Sequence, residues 1–440
     1  MDHLPTGWLS LANGKPHTFF PHPSFHNSLQ ERKTLPISLD GESEVDLPIN
    51  LNPPHNLHQV VPTRLRKKED GKIVTGPFIA ILSSDNRYPF SGNHYNFRDI
   101  IKMGKKMGVT VYVTTPKYLS QSGDVVKGYL LDSKSKRIKW IPSLLPRPNV
   151  IYNRIPSRKA EKQMSVQAVL QKIKHSSTPI FNPHYFDKWT LHKQLSSDEN
   201  CAKYLPITMR IDQESVLQTL LTSHNSIMLK PVEGKAGIGM MKVTKKPAGY
   251  ECIIQTLREK KRYNLATISD VWRVISPYTQ NRAYIAQQYI PLAQYGNCPF
   301  DVRMLFQKNM TGEWGLTGIG VRVAGAKAIT THVPMGGRIE SAVKVFTSIF
   351  GDQEAKKIRD KLERIGITIA KTIEKKQGYP LGEMSMDIGL ERTGRPWFFE
   401  ANAKPMKFDE PNIREKSLRR LIQYSLYLSE KAKKKQEIKA

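Results

Sequence analysis

The apolar residues of this chain fall into two alternating periods. Short apolar runs bounded by turn residues predict strands over residues 78–82, 109–113, 125–131, 137–141 and 150–154. Residues 96–107 have helical spacing and stop at Gly108. Strand, helix and strand at this distance form a βαβ unit, which implies parallel pairing. A long helix over 158–174 leads to Ile180-Phe-Asn-Pro183. A second block begins near Asp187, with helices over 188–195 and 213–223 and strands over 226–230, 240–243, 284–290, 300–307 and 315–323. Residues 353–376 place Ile358, Leu362, Ile365, Ile369 and Ile373 on one helical stripe, read as core. Two apolar runs, 384–390 and 397–399, flank Thr393-Gly394 and predict a β-hairpin, and a last helix covers 415–435. No internal repeat is present. The pattern predicts an α/β (α+β) chain.

The first 75 residues break this pattern. They are rich in Pro, His and Asn, which predicts an irregular arm or a small β-module, with 64–71 as an exposed linker. His17, His22 and His26 fit no standard metal-ligand spacing. The implied organisation is 1–75, an α/β domain over 76–182, a second domain over 183–430 and a basic tail over 431–440. The 440 residues suffice for two or three domains, and 39% hydrophobic with 24% charged residues is ordinary for a folded chain. No eighteen-residue apolar run predicts a membrane span. No export signal is evident, and Cys201, Cys252 and Cys298 are scattered, so free thiols in a reducing, cytoplasmic setting are expected. The formal charge of +29 favours anionic partners. Nucleic acid is not expected among them, because no helix-turn-helix, RRM or finger pattern accompanies the charge.

The candidate chemistry lies in the second block. Glu400 and Asn402 are two apart on one strand and share a face, and Asp387 lies on the strand paired with it. Three such oxygen ligands suit Mg²⁺, which takes a few carboxylates plus phosphate oxygens; an ordinary polar hairpin face is the alternative. Glu233-Gly-Lys-Ala-Gly-Ile-Gly239 carries Gly234, Gly237 and Gly239, which let backbone N–H groups approach phosphate. It connects strand to strand and has no Gly-Lys-Ser/Thr, so it is neither a P-loop nor a dinucleotide fingerprint. A plain tight turn is the alternative. Lys230 ends the strand before it, and Lys188 starts a helix upstream. Gln287-Gln288-Tyr289-Ile290 ends a strand that can meet an adenine edge. Asp301 and Arg303 alternate to one face of theirs.

This order, closing on Glu400-x-Asn402-x-x-Pro405, resembles the ATP-grasp superfamily over about residues 180–430. Pro148-Asn-Val-Ile-Tyr-Asn-Arg154, Asn182-Pro-His-Tyr-Phe-Asp-Lys-Trp189, Asp301-Val-Arg303, Val321-Arg-Val-Ala324 and Gly336-Gly337 are similar to the YheC/YheD family of endospore-coat-associated proteins, over about 76–425. The resemblance implies an ATP-grasp fold behind a Rossmann-like pre-ATP-grasp domain. It implies ATP and Mg²⁺ as cofactors, with Lys188, Lys230, Glu233 and Gly234 to Gly239 at the phosphates. Gln287, Gln288, Tyr289 and Ile290 would lie at the adenine. Asp387, Glu400 and Asn402 would hold Mg²⁺, Arg303 and Arg322 would face the γ-phosphate or an acyl phosphate, and Gly336-Gly337 would line the acceptor site. The implied reaction joins a carboxylate to an amine; the alternative is a non-catalytic coat component among other spore-coat proteins. Two departures stand out: Ser385 occupies a position where many of these ligases carry arginine, and Gln287 replaces a hinge glutamate.

Overall fold

The computed structural model describes residues 6–38, 44–52, 60–67, 71–85, 89–132, 135, 137–234, 238–256, 259–325, 331 and 336–437. Of the two forms expected for the N-terminal region, its described residues take the small β-module and not the irregular arm. Thr6–Ala12, Lys15–Pro21, Thr34–Ser38, Glu44–Pro48, Val60–Lys67 and Ile73–Thr75 form one sheet in the order second, first, fifth, sixth, third, fourth. Phe19 bridges Ile49 in parallel, so the two edge strands meet and the sheet curls closed around Leu9, Leu11, Phe19, Leu35, Ile37, Leu47, Val61 and Leu65. In the linker expected over 64–71, Arg64 to Lys67 instead continue the strand Val60–Lys67, while residues 68–70 lie outside the described residues. The strands are short, and Pro16, Pro21, Pro36, Pro48 and Pro62 interrupt their pattern. One legible signal was Asn13-Gly14, both at positive φ, which turns the first hairpin.

The next sheet is ordered Trp140–Pro146, Val125–Leu131, Thr110–Thr114, Phe78–Leu82, Val150–Asn153, Ile180–Phe181. The last four strands are parallel. Alternate residues of Phe78–Leu82 serve different cores. Phe78, Ala80 and Leu82 pack toward the N-terminal module, while Ile79 and Ile81 pack with the helix His94–Lys106 and the C-terminal helix Pro411–Glu437. The helix expected over 158–174 is two helices, Arg158–Glu161 and Met164–Lys174. Ser157 caps the first, its Oγ accepting from the Ala160 N–H at 3.1 Å.

Two further sheets follow. One is ordered Thr208–Ile211, Tyr284–Gln288, Ser226–Pro231, Met240–Lys246, Gly249–Gln255, Lys260–Leu265, and packs on the helices Glu214–Ser223 and Ile268–Asn281. The second of these helices begins with a capping box, Thr267 and Asp270. The other sheet is ordered Arg338–Ser341, Trp314–Val323, Cys298–Lys308, Glu383–Leu390, Pro396–Asn402. The isoleucine and leucine stripe of Asp352–Gln377 is buried against it. Gly366 stands in the middle of that continuous helix, where a Cβ would lie 2.0 Å from the Phe306 ring. The two sheets face each other across a cleft. Asn182, at φ 53°, donates from Nδ2 to the carbonyls of Glu383 (2.7 Å) and Ala403, and accepts from the Gly382 N–H at 2.8 Å.

Candidate functional site

The cleft holds a cavity of about 120 Å³ lined by residues of both sheets. On one wall, Lys230 and Gln287 project from paired strands, with Met228 opposite Gln287. The Lys230 ammonium donates to Gln287 Oε1 at 2.5 Å, and Gln287 Nε2 donates to Thr208 Oγ1 at 2.9 Å. This chain fixes the Gln287 carboxamide with its oxygen toward the lysine. Lys230 also lies 4.8 Å from the centre of the Phe399 ring. Burial pushes the Lys230 ammonium down to about 8, against the pull of Glu400 and with the help of Lys188. A cationic Lys230 is what an anionic ligand requires. Affinity for a polyphosphate is therefore expected to fall as pH rises through about 8, with a proton taken up on binding there; calorimetry of Mg²⁺-free ATP in buffers of different ionisation enthalpy measures both.

The strand end beyond Gln287 is equally constrained. The Gln288 N–H donates to the Ile207 carbonyl at 2.8 Å and the Tyr289 N–H to the Ser226 carbonyl at 3.1 Å. Gln287, Gln288, Tyr289 and Ile290 all line the cavity, with Met228, Ile238, Met240 and Leu292 supplying apolar surface. Such a slot suits a flat heteroaromatic ring. Gly234 lines the cavity as well. Gly239 is at φ 76°, where a Cβ would lie 2.9 Å from the Tyr284 hydroxyl. Gly237 lies outside the described residues. Glu233 departs from expectation: it is exposed, turned out of the cavity, and ion-paired with Lys162 at 2.8 Å.

The opposite wall is the C-terminal hairpin and the strands beside it. Asp387 stands opposite Glu400 on one side and Arg303 on the other, and Asp301 stands opposite Arg322. Arg322 donates to both oxygens of Asp301, at 2.8 and 2.5 Å, and lies 2.8 Å from Asp387 Oδ2. Thr331 Oγ1 adds a bond to Asp301 at 2.7 Å. Arg322 is thus tied to two buried carboxylates, whereas Arg303 lies 3.9 Å from Asp387 and donates to Ser385 Oγ at 3.3 Å. The Ser385 position is covered by a guanidinium reaching across from the neighbouring strand. Lys188 pairs with Glu400 at 2.9 Å, and Asn402 Nδ2 donates to Glu400 Oε1 at 3.3 Å. Gly336 is exposed, its carbonyl close against Gly325.

These residues fit a hard divalent cation. Asp387 Oδ1 is buried and has no hydrogen-bond partner among the described residues. Burial pushes the Asp387 carboxyl up, and the Arg322 and Arg303 guanidiniums oppose that push. Glu400 lies directly across the ladder. Among the described residues no group of three His, Cys, Asp or Glu side chains has metal-binding geometry. Two carboxylates and an amide suit Mg²⁺, which completes its shell with water and phosphate. Sequence reasoning missed Thr208, Thr331 and Phe399. None has a local signature; register places Thr208 opposite Gln287, Phe399 comes from the strand Pro396–Asn402, and Thr331 lies outside any strand.

Two sheets clasping a cleft of this kind define the ATP-grasp fold. The structure is similar to the D-alanine–D-alanine ligase from Coxiella burnetii, with TM-score 0.50 over 82% of this chain and 97% of that one at 10% identity, a likeness of fold. Residues 177–428 match the YheC/D-like ATP-grasp family, and the chain belongs to that family. It is 25% identical over 378 residues to the endospore coat-associated protein YheD of Bacillus subtilis (strain 168), covering 82% of this chain and 81% of that protein. The endospore coat-associated protein YheC of the same organism is 24% identical over 313 residues, covering 70% and 84%.

Proposed function

We propose that this protein is an ATP- and Mg²⁺-dependent carboxylate–amine ligase acting through an acyl phosphate. The observation that carries this is the buried Asp387 Oδ1, which no hydrogen bond satisfies among the described residues, at a strand position opposite Glu400 and within a cleft that also holds Lys188, Lys230 and Arg322. Lys188 and Lys230 neutralise the phosphates, and the slot at Gln287 to Ile290 takes the adenine. Asp387, Glu400 and Asn402 would hold Mg²⁺, which shields the phosphate oxygens and withdraws charge from the leaving group. A substrate carboxylate oxygen attacks the γ-phosphorus and ADP departs. An amine then attacks the acyl carbon, loses a proton, and inorganic phosphate leaves. Arg303, loosely held and beside Ser385, meets the transferred phosphoryl group, while Arg322 holds Asp387 in place. Phosphoryl transfer asks for positioning and charge of this kind more than for covalent help.

A second reading keeps nucleotide binding without catalysis, in a structural protein of the endospore coat that is made in the cytoplasm and held there by other coat proteins. The names of its two Bacillus relatives and the charge of +29 favour it. Mg·ATP is expected to raise the melting temperature under both readings, by mass action on the native state. ADP release that rises with a carboxylate and an amine, drawn from amino acids, peptides and cell-wall precursors, is expected only of the ligase. Absence of any ATP effect would remove both readings. ATP binding with no stimulated ADP release across the panel selects the coat protein.

A further inference from the structure

The helix Arg158–Glu161 ends where two neighbouring residues face different parts of the nucleotide cleft, although both belong to the sheet domain that precedes it. Glu161 is buried. One carboxylate oxygen lies 2.5 Å from Lys404 Nζ; the other accepts from the Tyr185 N–H at 3.0 Å and lies 3.8 Å from His184 Nδ1. Lys404 is itself buried. Its ammonium also lies 3.5 Å from the Ile155 carbonyl and 4.4 Å from the centre of the Tyr185 ring. Lys404 comes two residues after Asn402, at the outgoing end of the strand Pro396–Asn402. Lys162, the next residue after Glu161, reaches the other way and pairs with Glu233 of the glycine hairpin at 2.8 Å.

We propose that Glu161 and Lys162 are positioning residues of the nucleotide site: Glu161 anchors the metal-side hairpin through Lys404, and Lys162 latches the glycine hairpin through Glu233. This rests on the ligand assignment made above for Asp387, Glu400 and Asn402. The two contacts differ in kind. The Glu161–Lys404 pair is buried and sets where Asn402 and Glu400 lie, as the outer partners of metal ligands do. The Lys162–Glu233 pair is exposed, 68% and 53% at the side chains, so it is weak, screened by salt, and able to open and close. The break in the helix expected over 158–174 falls at these residues: Glu161 ends the first helix and reaches one hairpin, and Lys162, in the turn that follows, reaches the other. The Lys162–Glu233 pair also explains why Glu233 faces out of the cavity.

The test uses the full-length protein, Mg²⁺ and ATP, with thermal shift and calorimetry as readouts. Glu161→Gln is expected to raise the Mg²⁺ concentration needed for half of the Mg·ATP shift by about tenfold, with affinity for Mg²⁺-free ATP kept within twofold. Lys162→Glu is expected to weaken Mg·ATP binding about two- to fivefold at low salt and less at high salt, and Lys162→Glu with Glu233→Lys to restore it. A Glu161→Gln protein that melts lower but keeps the wild-type Mg²⁺ midpoint makes Glu161 a fold contact only and overturns the anchor. A double reversal that fails to restore binding overturns the latch, and this arm uses exposed residues that do not threaten folding. Wild-type protein with no Mg·ATP shift overturns the ligand assignment itself, a result separable from either.

Discussion

Replacing Arg322 by methionine is expected to destabilise the C-terminal half by about 3–5 kcal/mol, the cost of breaking a buried ion pair from one side. The Arg322 side chain is 6% exposed and holds Asp301 and Asp387, which are 6% and 3% exposed. Removing it strands two carboxylates in a dry site, where each ionised form is poorly solvated. At 2–4 °C per kcal/mol for a block of this size, the melting point drops by roughly 6–20 °C. The pH dependence has a defined sign. Without the guanidinium, less opposes the burial that already pushes the Asp387 carboxyl up, so the native state binds more protons than the unfolded one. The variant therefore loses stability as pH rises, and its deficit is larger at pH 7.5 than at pH 5. Adding Asp301→Asn to the variant recovers part of the loss, because one stranded charge goes. Melting curves at the two pH values measure all three effects. A variant as stable as the wild type would show that Arg322 is not the counter-ion of this pair.

The distinction between Arg322 and Arg303 marks how far the sequence could be read. Alternation along residues 300–307 placed Asp301 and Arg303 on one face, and the strand holds that alternation. The hairpin at Thr393-Gly394 and the facing of Glu400 and Asn402 were equally legible, because a period of two fixes which side chains share a face. What alternation cannot supply is register between strands. Asp301 meets Arg322 across a ladder and Asp387 meets Glu400 across another, and only those offsets reveal that Arg322 is committed and Arg303 is not. Glu233 was drawn toward phosphate by its place in the glycine loop. Its partner is Lys162, 71 residues earlier in the chain, and no local pattern announces a contact of that range. Asn182 entered the sequence reading only within the Asn182-to-Trp189 resemblance, with no role of its own, yet it bonds the backbone at Gly382, Glu383 and Ala403. The small β-module was among the forms expected at the N-terminus, but its individual strands were not placed, because each buries one face of few residues and its apolar signal is small even though the closed core is continuous.

Glu400→Gln is expected to abolish the Mg²⁺ dependence of ATP binding and to lower any ligase turnover by about 10²–10³, the scale for removing one preorganised electrostatic group. The substitution keeps size and keeps an oxygen for the Asn402 bond, so its structural cost is small. Lys188 loses its partner, but that pair is 21% exposed on both sides and contributes little. Charge is what changes. Glu400 pulls the Lys230 ammonium up against burial, so removing that charge drops Lys230 below its value of about 8. The pH limb for Mg²⁺-free ATP binding should then move to lower pH than in the wild type. Below that limb, where Lys230 still carries its proton, the variant should bind Mg²⁺-free ATP at least as tightly as the wild type, because a carboxylate no longer repels the phosphates. The same variant thus gains affinity for the bare nucleotide while losing its response to the metal. A protein misfolded at the hairpin would lose both. Titration of Mg²⁺ and of ATP across pH 6–9 separates these outcomes, and an unchanged Mg²⁺ response would remove Glu400 from the metal site.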